Sequence, residues 1–501
     1  MGNVNPGILD GVRRIGMRVR DLAVEGALPG APLGLRLRGA TAAGPPQGGT
    51  WKAGDVVPDR RGTVWTCTTG GEAPAAAWSG AIAGVTYITL PAGWYGGAWF
   101  TSKAAGFASP ATLACIGDSV TNGINASGGG FIATGWPDQL RTLLLAGSNT
   151  PLYADFYPGW SYNTGAGAID SVGEGFPAFT GGSTTYEAGF GTVLAPATTS
   201  AWVQTISTGS IPGWTGGNCT GFDFVYFDFS ANGWAFQIDG GQGGSPTVTG
   251  AAWSAGNGWY AVTNTGGGAT GGNIKKVTVR GLTSGTHTIQ WGQLAAAACM
   301  FPIGISLYTG SAGGIGFVRS GYSGRRAVDT ASPAGTSLGY AGTLNTYVSD
   351  RIAPWSGAGP EGGTAQISPV PFGFPMQPSL AFVSFGINDC ANGISPAAYT
   401  AALYRYIQAL KRGTPKANIA IVALCNPDPY YTDNNIASNA YRYVLWKQAM
   451  AETAAAYSCA YVDIDTLFGA TPVASGYMVS GNVHPTTAGH LLIAQTVQAI
   501  T

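Results

Sequence analysis

Two hydrophobic periods alternate along the chain, and each change of period marks a boundary. Near the start, Ile8, Val12, Ile15, Val19 and Leu22 are spaced by four and three, with Arg13, Arg14, Arg18, Arg20 and Asp21 off that seam. This predicts a helix within residues 1–29, and β-branched residues on the seam favour three strands, hence a homotrimer. A Gly/Pro/Ala linker occupies 30–49. Alternating residues then predict a hairpin of Trp51–Val57 and Gly62–Cys67, the start of a small Trp-rich β module over 50–105. From Ala111 the pattern becomes a continuous apolar strand, Thr112–Ile116, followed by a helix from Trp136 to Leu145 with Pro137 in its first turn. Between 151 and 310 the period is two, in short runs separated by Gly-rich turns. Phe222–Phe229, Gly233–Asp239, Lys276–Val279 and Gly285–Trp291 are examples. After Ile315 strands and helices alternate again. A helix runs from Pro396 to Lys411 with Ser395 as its cap, and a strand covers Asn418–Leu424. A helix over 440–457, a strand Ala460–Ile464 and a last helix from Thr486 complete the pattern.

Strands alternating with helices predict an α/β fold. Its parallel sheet, flavodoxin-like, carries helices on both faces and is built from 106–150 and 311–501. The even strand spacing of 151–310 predicts an inserted β-sandwich resembling a carbohydrate-binding module. Its aromatics Trp234, Trp253, Trp259 and Tyr260 are candidate sugar contacts, with sheet core as the competing role.

Composition narrows the partners. Among 501 residues, Lys+Arg and Asp+Glu number 24 each, for a net charge of zero. That lacks the basic footprint of a nucleic-acid binder. Charged residues are 10% of the chain, against about 25% in ordinary globular domains, while glycine and aromatics are abundant. The seven cysteines are scattered without a Cys-x-x-Cys pair, so neither a metal nor another cofactor is expected. Cys115, Cys299 and Cys425 lie in apolar runs and read as buried small hydrophobes. No apolar run approaches the roughly 18 residues of a membrane span. Met1–Pro6 carries no signal core and breaks the myristoylation pattern.

Only three histidines occur: His287, His484 and His490. His287 falls on a strand of the insert and reads as a half-buried sheet residue. His484, in Val483-His484-Pro485, precedes the last helix, and His490 lies within it. Upstream, Cys115–Ile116 runs into Gly117-Asp118-Ser119, and Ser384–Phe385 runs into Gly386-Ile387-Asn388-Asp389. Both are strands ending in turns, where open parallel sheets place their sites. A serine hydroxyl needs a neighbouring base to become a nucleophile, and a histidine suits that role near neutral pH.

Ser, Gly, Asn and His in this order and context resemble the SGNH (GDSL-type) hydrolases, over residues 106–150 and 311–501. The resemblance implies a serine esterase or deacetylase with Ser119 as nucleophile and His484 as base. Its oxyanion hole would consist of the Ser119 and Gly321 backbone N–H groups and the Asn388 side chain. Asn163–Gly167 is a rival for the Gly321 position, and Asp118 and Asp389 support the two turns. The family's aspartate three residues before the histidine is replaced here by Gly481. Asp463, Asp465 or a carbonyl of the Ser480–Val483 turn would then orient His484. The whole layout resembles minor tail or receptor-binding proteins of tailed bacteriophages. It implies a virion protein acting at the host surface on esters of envelope glycans or lipids, among other tail proteins. An adhesin that binds surface carbohydrate without catalysis is the alternative.

Overall fold

The computed structural model describes residues 36–37, 50–58, 64–72, 76–82, 85–124, 134–148, 150–158, 162–163, 169–170, 183–188, 191–196, 202–207, 218–228, 233–262, 273–293, 300–321, 326–327, 378–425, 437–469, 472–479 and 481–501. The predicted seam at 8–22, and with it the trimer, lies outside them. So do Cys299 and most of the Asn163–Gly167 segment.

One sheet of fifteen strands organises these residues. In chain order its first five strands are β1 (Arg36–Leu37), β2 (Asp55–Pro58), β3 (Val64–Thr69), β4 (Ala77–Ile82) and β5 (Val85–Leu90). Next come β6 (Ala111–Gly117), β7 (Leu152–Pro158), β8 (Cys219–Asp228), β9 (Thr247–Thr249) and β10 (Asn273–Gly285). The last are β11 (Met300–Tyr308), β12 (Ile315–Gly321), β13 (Pro378–Ser384), β14 (Asn418–Ala423) and β15 (Ala460–Asp463). Their spatial order is β1-β2-β3-β4-β5-β15-β14-β13-β6-β12-β7-β11-β8-β10-β9.

The centre is parallel: β15, β14, β13, β6, β12 and β7 all run the same way. Every residue of β6 and of β14 is buried, as expected for parallel strands covered on both faces. Helices α1 (Ala98–Ala104), α2 (Trp136–Ser148) and α7 (Thr487–Gln498) pack on one face, through Trp99, Trp136, Leu140, Ile493 and Val497. Helices α4 (Pro396–Gly413) and α5 (Ala437–Ala456) cover the other through Tyr399, Leu403, Ile407, Trp446 and Met450. Two short helices, α3 (Ile387–Ala391) and α6 (Ile464–Phe468), follow β13 and β15. β6 lies between β13 and β12, and open parallel sheets place their sites at the C-terminal ends of such strands.

The boundaries expected at 50–105 and 151–310 do not coincide with breaks in this sheet. β5 pairs antiparallel with β15, which joins the N-terminal strands to one flank. β7, expected to open the insert, instead pairs parallel with β12, and β11 pairs antiparallel with β7. A parallel core has two open edges, and here both are closed by further strands. Beyond β7 a second layer begins. A five-stranded sheet (202–207, 288–293, 234–238, 259–262 and 252–254) faces β8, β10 and β11 across a separate core. Trp234, Phe236, Tyr260, Ile289 and Trp291 from one side meet Phe222, Phe224, Val277, Val279, Ile305 and Leu307 from the other.

That core corrects two candidate sugar contacts. Trp234 is 0% exposed and Tyr260 is 3% exposed. Trp234 packs on Phe224, and Tyr260 stacks on Phe236 with its hydroxyl donating to the Gln242 carbonyl. Neither ring offers a face to a ligand. Trp253 and Trp259 are half-buried, Trp253 edge-on against Tyr260. His287 is not a strand residue. It sits in the turn between β10 and the strand 288–293, where Nδ1 bonds Asp239 (2.7 Å) and Nε2 bonds the Thr283 carbonyl (2.8 Å).

Candidate active site

Two adjacent strand ends build the site. β6 and β13 are hydrogen-bonded neighbours, with Gly117 opposite Ser384. A Cβ on Gly117 would come within 2.3 Å of Ser384 Oγ and 2.4 Å of Thr121 Oγ1, so only glycine lets these chains close. Thr121 Oγ1 and Ser384 Oγ then bond at 2.5 Å, and Ser384 Oγ donates to the Ile116 carbonyl. The chain after Gly117 coils into a helical turn, in which Asn122 N–H donates to the Asp118 carbonyl and Ile124 N–H to that of Ser119. Ser119 sits on this turn, only 8% exposed.

His484 arrives from the far end of the sequence. Thr486 caps α7, its hydroxyl accepting from Gly489 N–H, and the same hydroxyl donates to the Gly476 carbonyl. Met478 bridges Pro485. These contacts hold residues 476–479 against 485–486, beside His484. Its Nε2 lies 2.9 Å from Ser119 Oγ. Burial lowers its pKa to about 4, so at neutral pH the ring is uncharged and its Nε2 can accept the serine proton. Asn482, which the sequence reading missed, fixes the backbone: its Oδ1 accepts the His484 N–H at 2.9 Å. The Asn-x-His spacing is the signal for such a local side-chain turn.

Neither carboxylate expected behind the histidine reaches it. Asp463 caps α6 through Thr466, and both Asp463 and Asp465 pair with Lys447, at 3.1 and 2.8 Å. A cation and a helix end draw them away. Ser480 lies outside the described residues, and Gly481 holds φ +72° with open space where a Cβ would stand. Nδ1 of His484 has no hydrogen-bond partner among the described residues. Among the described residues the contact at His484 Nε2 is the one with Ser119 Oγ.

Asn388 lies in α3, one turn beyond the end of β13, and is half-buried. Gly386 begins that turn at φ +135°, where a side chain would strike Met450 and Tyr399. Gly321 ends β12 directly opposite Gly117. A Cβ there would meet Asn122 N at 2.1 Å, so Gly321 packs against the turn that carries Ser119. Of the rival segment only Asn163 is described, in a two-stranded ribbon separate from the main sheet. His490 is fully buried and away from Ser119: Nδ1 accepts from Trp136 N–H and Nε2 donates to the Ile124 carbonyl. Among the described residues no three His, Cys, Asp or Glu side chains gather as metal ligands, and no helix is long and apolar enough to cross a membrane.

Comparison with known proteins bears on this geometry. The model of the GDSL-like Lipase/Acylhydrolase family matches residues 323–492. That stretch contains Asn388 and His484 but not Ser119, which the fold alone brings to them. A solved peptidoglycan O-acetylesterase superposes with a TM-score of 0.50 at 13% identity, covering 81% of this chain and 93% of that one. A carbohydrate esterase family 2 enzyme with a carbohydrate-binding domain, from Corynascus thermopiles (Myceliophthora fergusii), aligns at 13% identity. It covers 64% of this chain and 98% of its own, with a TM-score of 0.27. An acetylxylan esterase from Geobacillus stearothermophilus aligns at 17% identity over 37% of this chain and 73% of its own, with a TM-score of 0.25. No curated protein matches the chain. The family match gives a GDSL-like lipase/acylhydrolase domain at residues 323–492, and the likeness to the O-acetylesterase is one of fold.

Proposed function

We propose that the protein is a serine esterase that removes acyl or acetyl groups from cell-envelope glycans or lipids. The observation that carries this reading is the 2.9 Å contact between Ser119 Oγ and His484 Nε2. In the proposed reaction, Oγ attacks the ester carbonyl carbon while its proton passes to Nε2. The carbonyl oxygen becomes an oxyanion, held by the N–H groups of Ser119 and Gly321 and the Asn388 amide. Collapse expels the alcohol, which takes the proton from His484. Water then repeats the sequence on the acyl-serine, releasing the acid and restoring Ser119. A glycan-linked ester fits a low-charge, aromatic-rich chain, and the likeness to a peptidoglycan O-acetylesterase supports an envelope target. The proposed setting is a phage tail, as the sequence layout suggests.

That Asp463 and Asp465 are both drawn to Lys447 favours one second reading: a site that binds envelope carbohydrate and turns over slowly or not at all. A single experiment separates them. Purified protein should release acetate from p-nitrophenyl acetate, and a serine-reactive fluorophosphonate should label Ser119. Ser119→Ala should lose both while keeping its melting temperature. Unlabelled, inactive wild-type protein that still binds envelope would establish the adhesin instead.

A further inference from the structure

Two carboxylates flank the proposed oxyanion donors, and the acyl-transfer scheme uses neither. Asp118 precedes Ser119 and Asp389 follows Asn388, and both are 0% exposed. Because Gly117 and Ser384 are paired, the two turns leave the sheet side by side. Asp389 is held through Oδ2, which accepts the Ala327 N–H at 2.8 Å. Asp118 is held by one oxygen only. Its Oδ1 accepts the Val120 N–H at 3.0 Å, while Oδ2 is buried without a hydrogen-bond partner. A bare buried oxygen is costly on an anion and much less so on a neutral acid.

The surrounding groups favour the neutral form. Asp389 faces Asp118 from α3, Tyr399 from α4 and Cys425 from just beyond β14. Burial raises Tyr399 and Cys425, so neither carries charge near neutrality. Burial, reinforced by the negative charge of Asp389, lifts Asp118 to about 7 against the pull of the Val120 bond. On the base, by contrast, burial lowers the pKa, and neither Asp463 nor Asp465, both paired with Lys447, supports an imidazolium at His484. An ionised Asp118 therefore burdens the oxyanion side of the site without helping the imidazole side.

We propose that Asp118 is a positioning residue that works as the neutral acid, holding the Ser119 turn through Val120, and that Asp389 keeps it neutral. The proposal rests on the esterase reading above. It is tested by kcat for acetate release from p-nitrophenyl acetate as a function of pH, alongside infrared difference spectra in the protonated-carboxyl region. In wild-type protein kcat should fall as pH rises through about 7. Asp118→Asn, which cannot ionise, should abolish that fall. Asp389→Asn removes the opposing charge and should move the fall to lower pH. Asp118→Ala should lower kcat at every pH, with Asn restoring what Ala loses. The infrared carboxyl band should titrate along with the wild-type fall and be missing from Asp118→Asn. A kcat that stays flat through neutrality, or a fall that persists unchanged in Asp118→Asn, would overturn the role. If no protonated-carboxyl band depends on Asp118, the neutral acid itself is wrong. Failure of the esterase reading looks different: no turnover and no labelling of Ser119, with the infrared band still deciding the state of Asp118.

Discussion

His484 and His490 stand six positions apart and do different work. One touches the nucleophile. The other joins α7 to the N-terminus of α2 and to Ile124. Burial lowers both to about 4, below the ordinary histidine value of about 6.5. Their neutral folded forms therefore cost nothing above about 6.5. As pH falls from there through about 4, the unfolded chain takes up protons that the folded one refuses, and stability drops. Asp118 has the opposite sign: its raised pKa gives stability that is full below the ordinary aspartate value and is lost as pH rises through about 7. Melting temperature measured from neutral to acid pH should therefore decline, and His490→Ala should lower it throughout while flattening the decline. Asn388→Ala should cut kcat by roughly 10²–10³ with little change in KM, the mark of a donor that acts on the oxyanion. A loss confined to KM would remove Asn388 from that role. These positions were legible in the sequence because each sits where a strand or loop meets a helix. That Asp463 and Asp465 would not orient His484 was not legible, because Lys447 claims both through a tertiary contact that no spacing displays.

Helix ends were legible for a similar reason. Ser395 caps α4 with Pro396 behind it, and Thr486 caps α7, both local side-chain-to-backbone bonds written in adjacent residues. Strand faces were harder. Trp234, Phe236 and Ile238 alternate along one strand, which marks a common face but not what covers it. A second sheet does, and the supposed sugar platform becomes core. Trp234→Ala should accordingly cost about 3–5 kcal/mol of stability, measured by denaturant unfolding, with turnover of a small ester unchanged. A loss under about 1 kcal/mol would return Trp234 to the surface role.

Among the described residues a buried cluster of charged side chains ties β7 and α2 to β12. Arg319 on β12 bonds Asp138 on α2 at 2.9 Å and Asp155 on β7 at 2.6 Å, and Arg141 on α2 pairs with both aspartates. All four residues are buried. Two arginines balance two aspartates, so removing one partner strands a charge in the core. Asp155→Ala should destabilise the protein by roughly 3–5 kcal/mol, visible as a drop in melting temperature. If the melting temperature holds, the cluster is not what secures the join. Excising 150–310 also removes β7 and Asp155, so the remainder should fail to fold rather than survive as a small esterase. The union of these parts was invisible in the sequence. Periods of two and of 3.6 report local structure, whereas strand order depends on contacts between residues far apart.

The sheet that results from this union ends in β1, two residues long, on one side and in β9, three residues long, on the other. A long sheet normally offers a neighbour a row of unpaired amides and carbonyls along each margin. Here the outermost strands are short, and β9 covers only Thr278–Arg280 of β10, so the last strand on each side gives an incoming chain few groups to pair with. The practical outcome is that neither outermost strand is by itself a long template on which copies of the chain could grow a shared fibril.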